Sequence, residues 1–129
     1  MRTRALIALT TATLAAGSLA VAPVASAEVT IVGSDTTRTL SCNNDDLVVA
    51  GSDNALVLTS NCKRVRISGS DNTITLRDAG RLEIVGSGNA VTLGATPAVE
   101  ISGSDNSIRC ASGGKAKVRT AGIGNAISC

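Results

Sequence analysis

The sequence predicts an all-β fold, a parallel β-solenoid (β-helix) of about six coils with 17–19 residues per coil. Three observations predict it. A Gly/Asn-containing turn recurs six times, apolar residues fall into fixed columns around that turn, and with no Phe, Tyr or Trp the core must be built from Val, Ile and Leu. Self-similarity at a short fixed period marks a repeat architecture, because one small unit cannot bury its own apolar face and must stack on its neighbours.

The first 27 residues stand outside the repeat and read as an export signal. Arg2 and Arg4 give a basic start, residues 5–20 are mostly apolar, and Ala25-Ser26-Ala27 is an A-x-A cleavage site that predicts a mature start at Glu28. A membrane anchor is the rival reading; threonines within the apolar run and the small-residue segment after it favour removal. No cysteine lies near the site for lipid attachment, and no later apolar run is long enough for a membrane span. The expected organisation is therefore a cleaved signal over 1–27 and one repeat domain over 28–129, secreted to the outside of the cell or the cell envelope.

The repeat itself is anchored on the glycine that opens each turn: Gly33, Gly51, Gly69, Gly86, Gly103 and Gly122, spaced by 18, 18, 17, 17 and 19 residues. Three residues after each anchor stand Thr36, Asn54, Asn72, Asn89, Asn106 and Asn125. Four and two residues before it are Val29/Ile31, Leu47/Val49, Val65/Ile67, Leu82/Ile84, Val99/Ile101 and Val118/Thr120. Five and seven residues after it are Arg38/Leu40, Leu56/Leu58, Ile74/Leu76, Val91/Leu93, Ile108/Cys110 and Ile127/Cys129. Only Arg38 and Thr120 break these four columns.

Within a coil the pattern is period two, a turn, then period two again, which means two short strands with alternate side chains inward. Glycine and asparagine tolerate the positive φ of a tight corner. An antiparallel hairpin array or sandwich is the alternative, but identical residue types recurring in register suit parallel coils about 4.8 Å apart. The remaining side of each coil spans 41–46, 59–64, 77–81, 94–98 and 111–117. All length variation falls there, so it should form the loop edge.

Four cysteines in an exported chain imply two disulfides, for which three connectivities exist. Cys110 and Cys129 share a column in adjacent coils, and Cys42 and Cys62 sit on successive loop edges. The expected pairs are Cys42–Cys62 and Cys110–Cys129.

Composition narrows the functional classes. Lys plus Arg number 12 and Asp plus Glu 10; without Arg2 and Arg4 the balance is 10 against 10. A neutral domain has no electrostatic footprint for nucleic acid or an anionic membrane surface. The absence of His removes the commonest general base, and the absence of aromatics removes stacking platforms for sugars and bases. No cofactor motif is present, and the expectation is that the protein is not an enzyme. Long β-solenoids do host polysaccharide-cleaving enzymes that use carboxylates, but six coils leave little room for a groove. Asp45, Asp46 and Asp78 read as loop solubilisers.

Three columns remain as candidate sites. The asparagines are expected to hydrogen-bond along the stack rather than to bind a ligand. Asp35, Asp53, Asp71 and Asp105, two residues after their anchors, are candidates for calcium; Gly88 and Gly124 interrupt them, and each coil offers one carboxylate where calcium takes six to eight oxygens. The outward row of the second strand, with Thr37, Thr39, Thr73, Thr75 and Thr92, is a flat, small, nearly uncharged face suited to an envelope polymer, a protein partner or ice, interrupted by Ala55 and Val57. The first strand instead carries charge: Arg66 and Glu83, and Glu100 and Arg119, are opposite-charge neighbours on successive coils. The last coil has no cover, so self-association through the C-terminal coil is a further expectation.

The repeat Gly-Ser-Asp-Asn-x-[Ile/Val]-x-Leu, as in 69–76, resembles a family of actinobacterial exported proteins classed as a domain of unknown function. The resemblance runs over essentially all of 28–129. It implies a repeat β fold and an extracellular or cell-envelope setting, and it brings no established activity and no functional residues.

Overall fold

A computed structural model describes residues 28–112 and 115–129; the export signal expected over 1–27 lies outside the described residues. Each coil contributes two strands, giving β1 (Val29–Val32) and β2 (Thr37–Leu40), β3 (Asp46–Ala50) and β4 (Ala55–Leu58), and β5 (Arg64–Ser70) and β6 (Thr73–Thr75). Beyond them lie β7 (Leu82–Ser87) and β8 (Ala90–Leu93), β9 (Ala98–Ser104) and β10 (Ser107–Cys110), and β11 (Lys117–Ala121) and β12 (Ala126–Ser128). The odd-numbered strands form one six-stranded sheet and the even-numbered strands another, each in simple coil order. Every pairing is parallel. The chain is a β-solenoid of about 5 turns carrying six rungs in each sheet.

The register reproduces the sequence columns residue for residue. Ile31 pairs with Val49, Val49 with Ile67, Ile67 with Ile84, and Ile84 with Ile101. In the other sheet Leu56 pairs with Ile74, Ile74 with Val91, and Val91 with Ile108. Like side chains therefore stack on like between the two sheets. Leu47, Val49, Leu56, Val65, Ile67, Ile74, Leu82, Ile84, Val91, Leu93, Ile101 and Ile108 are all at most 2% exposed. Parallel sheets of β-branched and Leu side chains need no aromatic filler, because each residue packs on a near copy of itself one rung away.

The glycine corner is where the repeat is least forgiving. The backbone at Gly69 has φ 141°, and a Cβ there would overlap the carbonyl oxygen of Gly51 in the coil before. Glycine is thus required twice over, for its backbone conformation and for the close approach of successive coils. Two residues on, Asp35, Asp53, Asp71 and Asp105 take left-handed φ values of 55–57°.

The opposite edge is irregular, as the length variation predicts. Among the described residues two isolated parallel bridges cross it, Cys62 with Ala79 and Asp78 with Ala95. Disulfides join Cys42 to Cys62 and Cys110 to Cys129, with Cα–Cα separations of 5.1 and 4.7 Å, inside the range that a bridge can span.

Candidate functional site

Four surfaces carry the residues that the sequence singles out: the Gly–Asn corner, the two outer sheet faces and the loop edge. The corner is a closed internal network. Asn54, Asn72, Asn89 and Asn106 are buried to 1% exposure or less. Asn72 shows the pattern. Its Oδ1 accepts from the Asn54 N–H at 3.1 Å and the Asn54 Nδ2 at 3.0 Å. Its Nδ2 donates to the Gly51 carbonyl and to Asn89 Oδ1, both at 3.0 Å. Two donors and two acceptor positions are all used, the full capacity of a primary amide. From Asn72 to Asn106 the column leaves nothing over for a ligand.

The aspartates next to it point the other way. Asp35, Asp53, Asp71 and Asp105 are all exposed at the turn tips. Among the described residues no group of three or more His, Cys, Asp or Glu side chains is gathered where it could hold an ion. Gly88 and Gly124 interrupt the column in the same left-handed conformation, with φ 67° and 74°. The position therefore selects for residues that tolerate positive φ, and Asp and Gly both qualify. That backbone requirement is legible in the sequence only as an Asp/Gly alternation.

The outer face of the even-numbered sheet collects the threonines. Thr37, Ala55, Thr73, Ala90, Ser107 and Ala126 form one row in register, and Thr39, Val57, Thr75, Thr92, Arg109 and Ser128 form the other. All twelve are exposed. Thr75 and Thr92 are direct neighbours across the β6–β8 pair. Over the first four rungs this face carries no charge at these positions, and its largest side chain is Val57, 46% exposed.

The outer face of the odd-numbered sheet is ionic. Arg66 pairs with Glu83 at 3.2 Å, as the column predicts. Glu100 stands beside Arg119 in register, but its ion pair is with Arg81 at 3.0 Å, and Arg81 also holds Glu83 at 2.9 Å. The expected Glu100–Arg119 neighbourhood thus forms without being the ion pair. Arg81 precedes β7, and its long side chain reaches the carboxylates of two successive rungs. The hydrogen bond to Glu100, then that to Glu83, pushes the Arg81 pKa above its ordinary value. Such exposed pairs orient side chains more than they stabilise the fold.

On the loop edge, Asn43, Asn44, Thr59, Ser60, Asn61, Arg77 and Asp78 line a shallow open depression of about 420 Å³. Ser60 is its hub: its hydroxyl lies 2.8 Å from Ser41 Oγ and accepts from the Asn43 N–H at 2.8 Å. Asp78 Oδ1 accepts from the Ala95 N–H at 2.8 Å, a turn-holding role. Asp46 faces Arg64 at 4.0 Å, and its Oδ1 lies out of solvent without a hydrogen-bond partner. The left-handed backbone of the consecutive Asn43 and Asn44, φ 52° and 65°, goes unnoticed in the repeat because it falls in the variable segment.

A family model described as a protein of unknown function (DUF3060) matches residues 49–98. The chain is similar to that family over this stretch. It contains the corners at 51–54, 69–72 and 86–89, where the Gly-Ser-[Asp/Gly]-Asn pattern is regular, and stops short of both end coils. No curated protein matches the chain, and no solved structure matches it. Among the described residues, no helix is long and apolar enough to cross a membrane.

Proposed function

We propose that this chain is a non-catalytic, exported module of the cell envelope or its surroundings, which presents the threonine-bearing face of the even-numbered sheet to a polymer or a protein partner. The supporting observation is the contrast between two faces of one stack. The odd-numbered face is occupied by its own ion pairs. The even-numbered face repeats small hydroxyl and methyl groups in two straight rows with no partner among the described residues. Rungs about 4.8 Å apart give such a face the periodicity of an extended ligand rather than the concavity of a small-molecule site. The two disulfides suit an oxidising compartment, in keeping with export.

The test is retention of the purified protein on isolated cell-wall material. Thr39→Lys, Thr75→Lys and Thr92→Lys together should abolish retention without lowering the melting temperature, because all three side chains point outward. The same charge placed on the other face, by Thr30→Lys, Ser68→Lys and Ser102→Lys, should leave retention intact. Equal loss from both triple variants, or no retention of the parent protein, overturns the reading.

A further inference from the structure

The loop edge reverses what the corner does with its amides. At the corner, Asn72 and Asn89 are saturated by their neighbours in the stack. On the loop edge the Asn44 N–H donates to the Asn61 carbonyl and the Cys62 N–H to the Asp78 carbonyl, both at 2.9 Å. Asn44, Asn61 and Asp78 therefore stand one above another on three successive coils. Asn43, Ser60 and Arg77, each one residue earlier, run alongside. The side-chain hydrogen bonds of this edge engage Ser41, Asn43, Thr59, Ser60 and Asp78. Among the described residues they leave the amides of Asn44 and Asn61 and the guanidinium of Arg77 exposed, with no partner in the fold. The walls are nonetheless fixed. A disulfide joins Cys42, just before Asn43, to Cys62, just after Asn61. Ser60 holds the left-handed Asn43–Asn44 turn by accepting from the Asn43 N–H at 2.8 Å.

We propose that the depression over these two columns is a binding site for a neutral sugar, held by hydroxyl groups on adjacent carbons. Its volume of about 420 Å³ falls within the range of small-molecule sites, and every side chain lining it is polar. Its charges cancel, since Arg77 brings one cation and Asp78 one anion. Neither group is used up within the fold. Asp78 Oδ1 accepts from the Ala95 N–H at 2.8 Å, which orients the carboxylate and leaves Oδ2 open.

The chemistry selects among ligands. Asp78 only accepts hydrogen bonds, Arg77 only donates them, and the amides of Asn44 and Asn61 do both. A hydroxyl also does both, so two neighbouring hydroxyls can give a proton to Asp78 while accepting from Arg77 or an amide. An anion would be repelled by Asp78 and a cation by Arg77, and calcium would find a single carboxylate. A lipid or an apolar peptide would find no apolar side chain in the lining. There is no aromatic residue to stack on, so recognition rests on hydrogen bonds and the expected Kd is on the order of millimolar. The site lies on the loop edge, away from the threonine face, and its probe is a soluble sugar rather than wall material. Either reading can therefore fail while the other stands.

The experiment is two-dimensional NMR of nitrogen-15-labelled protein with both disulfides intact. Methyl glycosides of glucose, galactose, mannose and N-acetylglucosamine are titrated separately into the tens of millimolar range. At least one should shift the side-chain amides of Asn44 and Asn61 and the Arg77 Nε–H in a saturable manner, while the saturated amides of Asn72 and Asn89 stay in place. Asp78→Asn keeps an oxygen for the Ala95 N–H but turns the open acceptor into a donor, and should weaken binding about tenfold or more. Arg109→Gln, an exposed cation on the even-numbered face, should leave the affinity unchanged. Circular-dichroism melting establishes that each variant is folded, and Arg77→Gln carries the test if Asp78→Asn lowers the transition. The absence of a saturable shift with all four glycosides overturns the proposal. So do equal shifts with glycerol, binding confined to glucuronate, and an affinity unaltered in the folded variants of Asp78 and Arg77.

Discussion

Each coil turns twice, once at the Gly–Asn corner and once at the loop edge, and the two turns obey different rules. From Val29 to Leu40, across the corner, the number of residues is the same as from Leu47 to Leu58 and in every later coil. From the end of one such stretch to the start of the next, the count varies. The corner is strict because its side chains are its hydrogen-bonding partners: each asparagine amide must meet the one before and the one after, so a slip of one residue would leave several buried groups unpaired. The loop edge is held by scattered backbone bonds, two isolated bridges and a disulfide. None of these has to repeat, and a covalent link holds the spacing whatever the loop length. Periodic side-chain ladders impose coil length; covalent staples permit it to vary.

Substitutions can break this comparison, beginning with the one that should hurt most. Gly69→Ala combines a left-handed backbone with a collision against a carbonyl of the neighbouring coil, and its cost should exceed about 5 kcal/mol in denaturant unfolding. Gly33→Ala has the same kind of φ, at 124°, but open space around its Cβ, so only the backbone strain of about 1–3 kcal/mol applies. Equal losses at the two positions would show that close approach of successive coils does not matter.

Asn72→Ala comes next. It strips partners from the Asn54 N–H, the Asn54 amide, the Gly51 carbonyl and Asn89 Oδ1. Asn89 Oδ1 keeps the Asn72 N–H, so three groups are left unpaired; at about 1 kcal/mol or more for each, the expected loss is about 3 kcal/mol by urea titration. A loss below that of Asn125→Ala, where the ladder already ends, would contradict a cooperative column.

At the loop edge, replacing Cys42 and Cys62 together by Ala should cost about 3 kcal/mol, the chain-entropy value for a closed loop of this size. The two cysteines are 20 residues apart in sequence. Proteolysis should then begin within residues 41–64, with the corner at 51–54 still protected. Cleavage at the corner first would reverse the ranking of the two turns.

Much of the fold was legible because solenoid packing is one-dimensional. A residue's neighbours are the residues one period away, so the columns of Ile67 and Ile84 or of Leu56 and Ile74 could be read as contacts without a topology to search. The disulfide pairs followed for the same reason. The candidate site was less legible. The threonine rows could be placed on one face by parity alone, whereas the loop-edge depression around Ser60 and Asn61 could not, since the segments that form it have no shared period.

The sequence alone determined the period, the inward and outward faces, the turn glycines and the covalent pairing, all consequences of alternation along a strand and repetition across strands. Tertiary structure decided what each polar group does once the coils are stacked. It made the asparagines a saturated chain of amides with a direction, and gave Glu100 to Arg81 instead of Arg119. It also turned the Asp/Gly alternation into a left-handed backbone requirement. Those outcomes depend on the distances and angles between donors and acceptors on successive coils, on which hydrogen bonds and ion pairs turn and hydrophobic patterning does not.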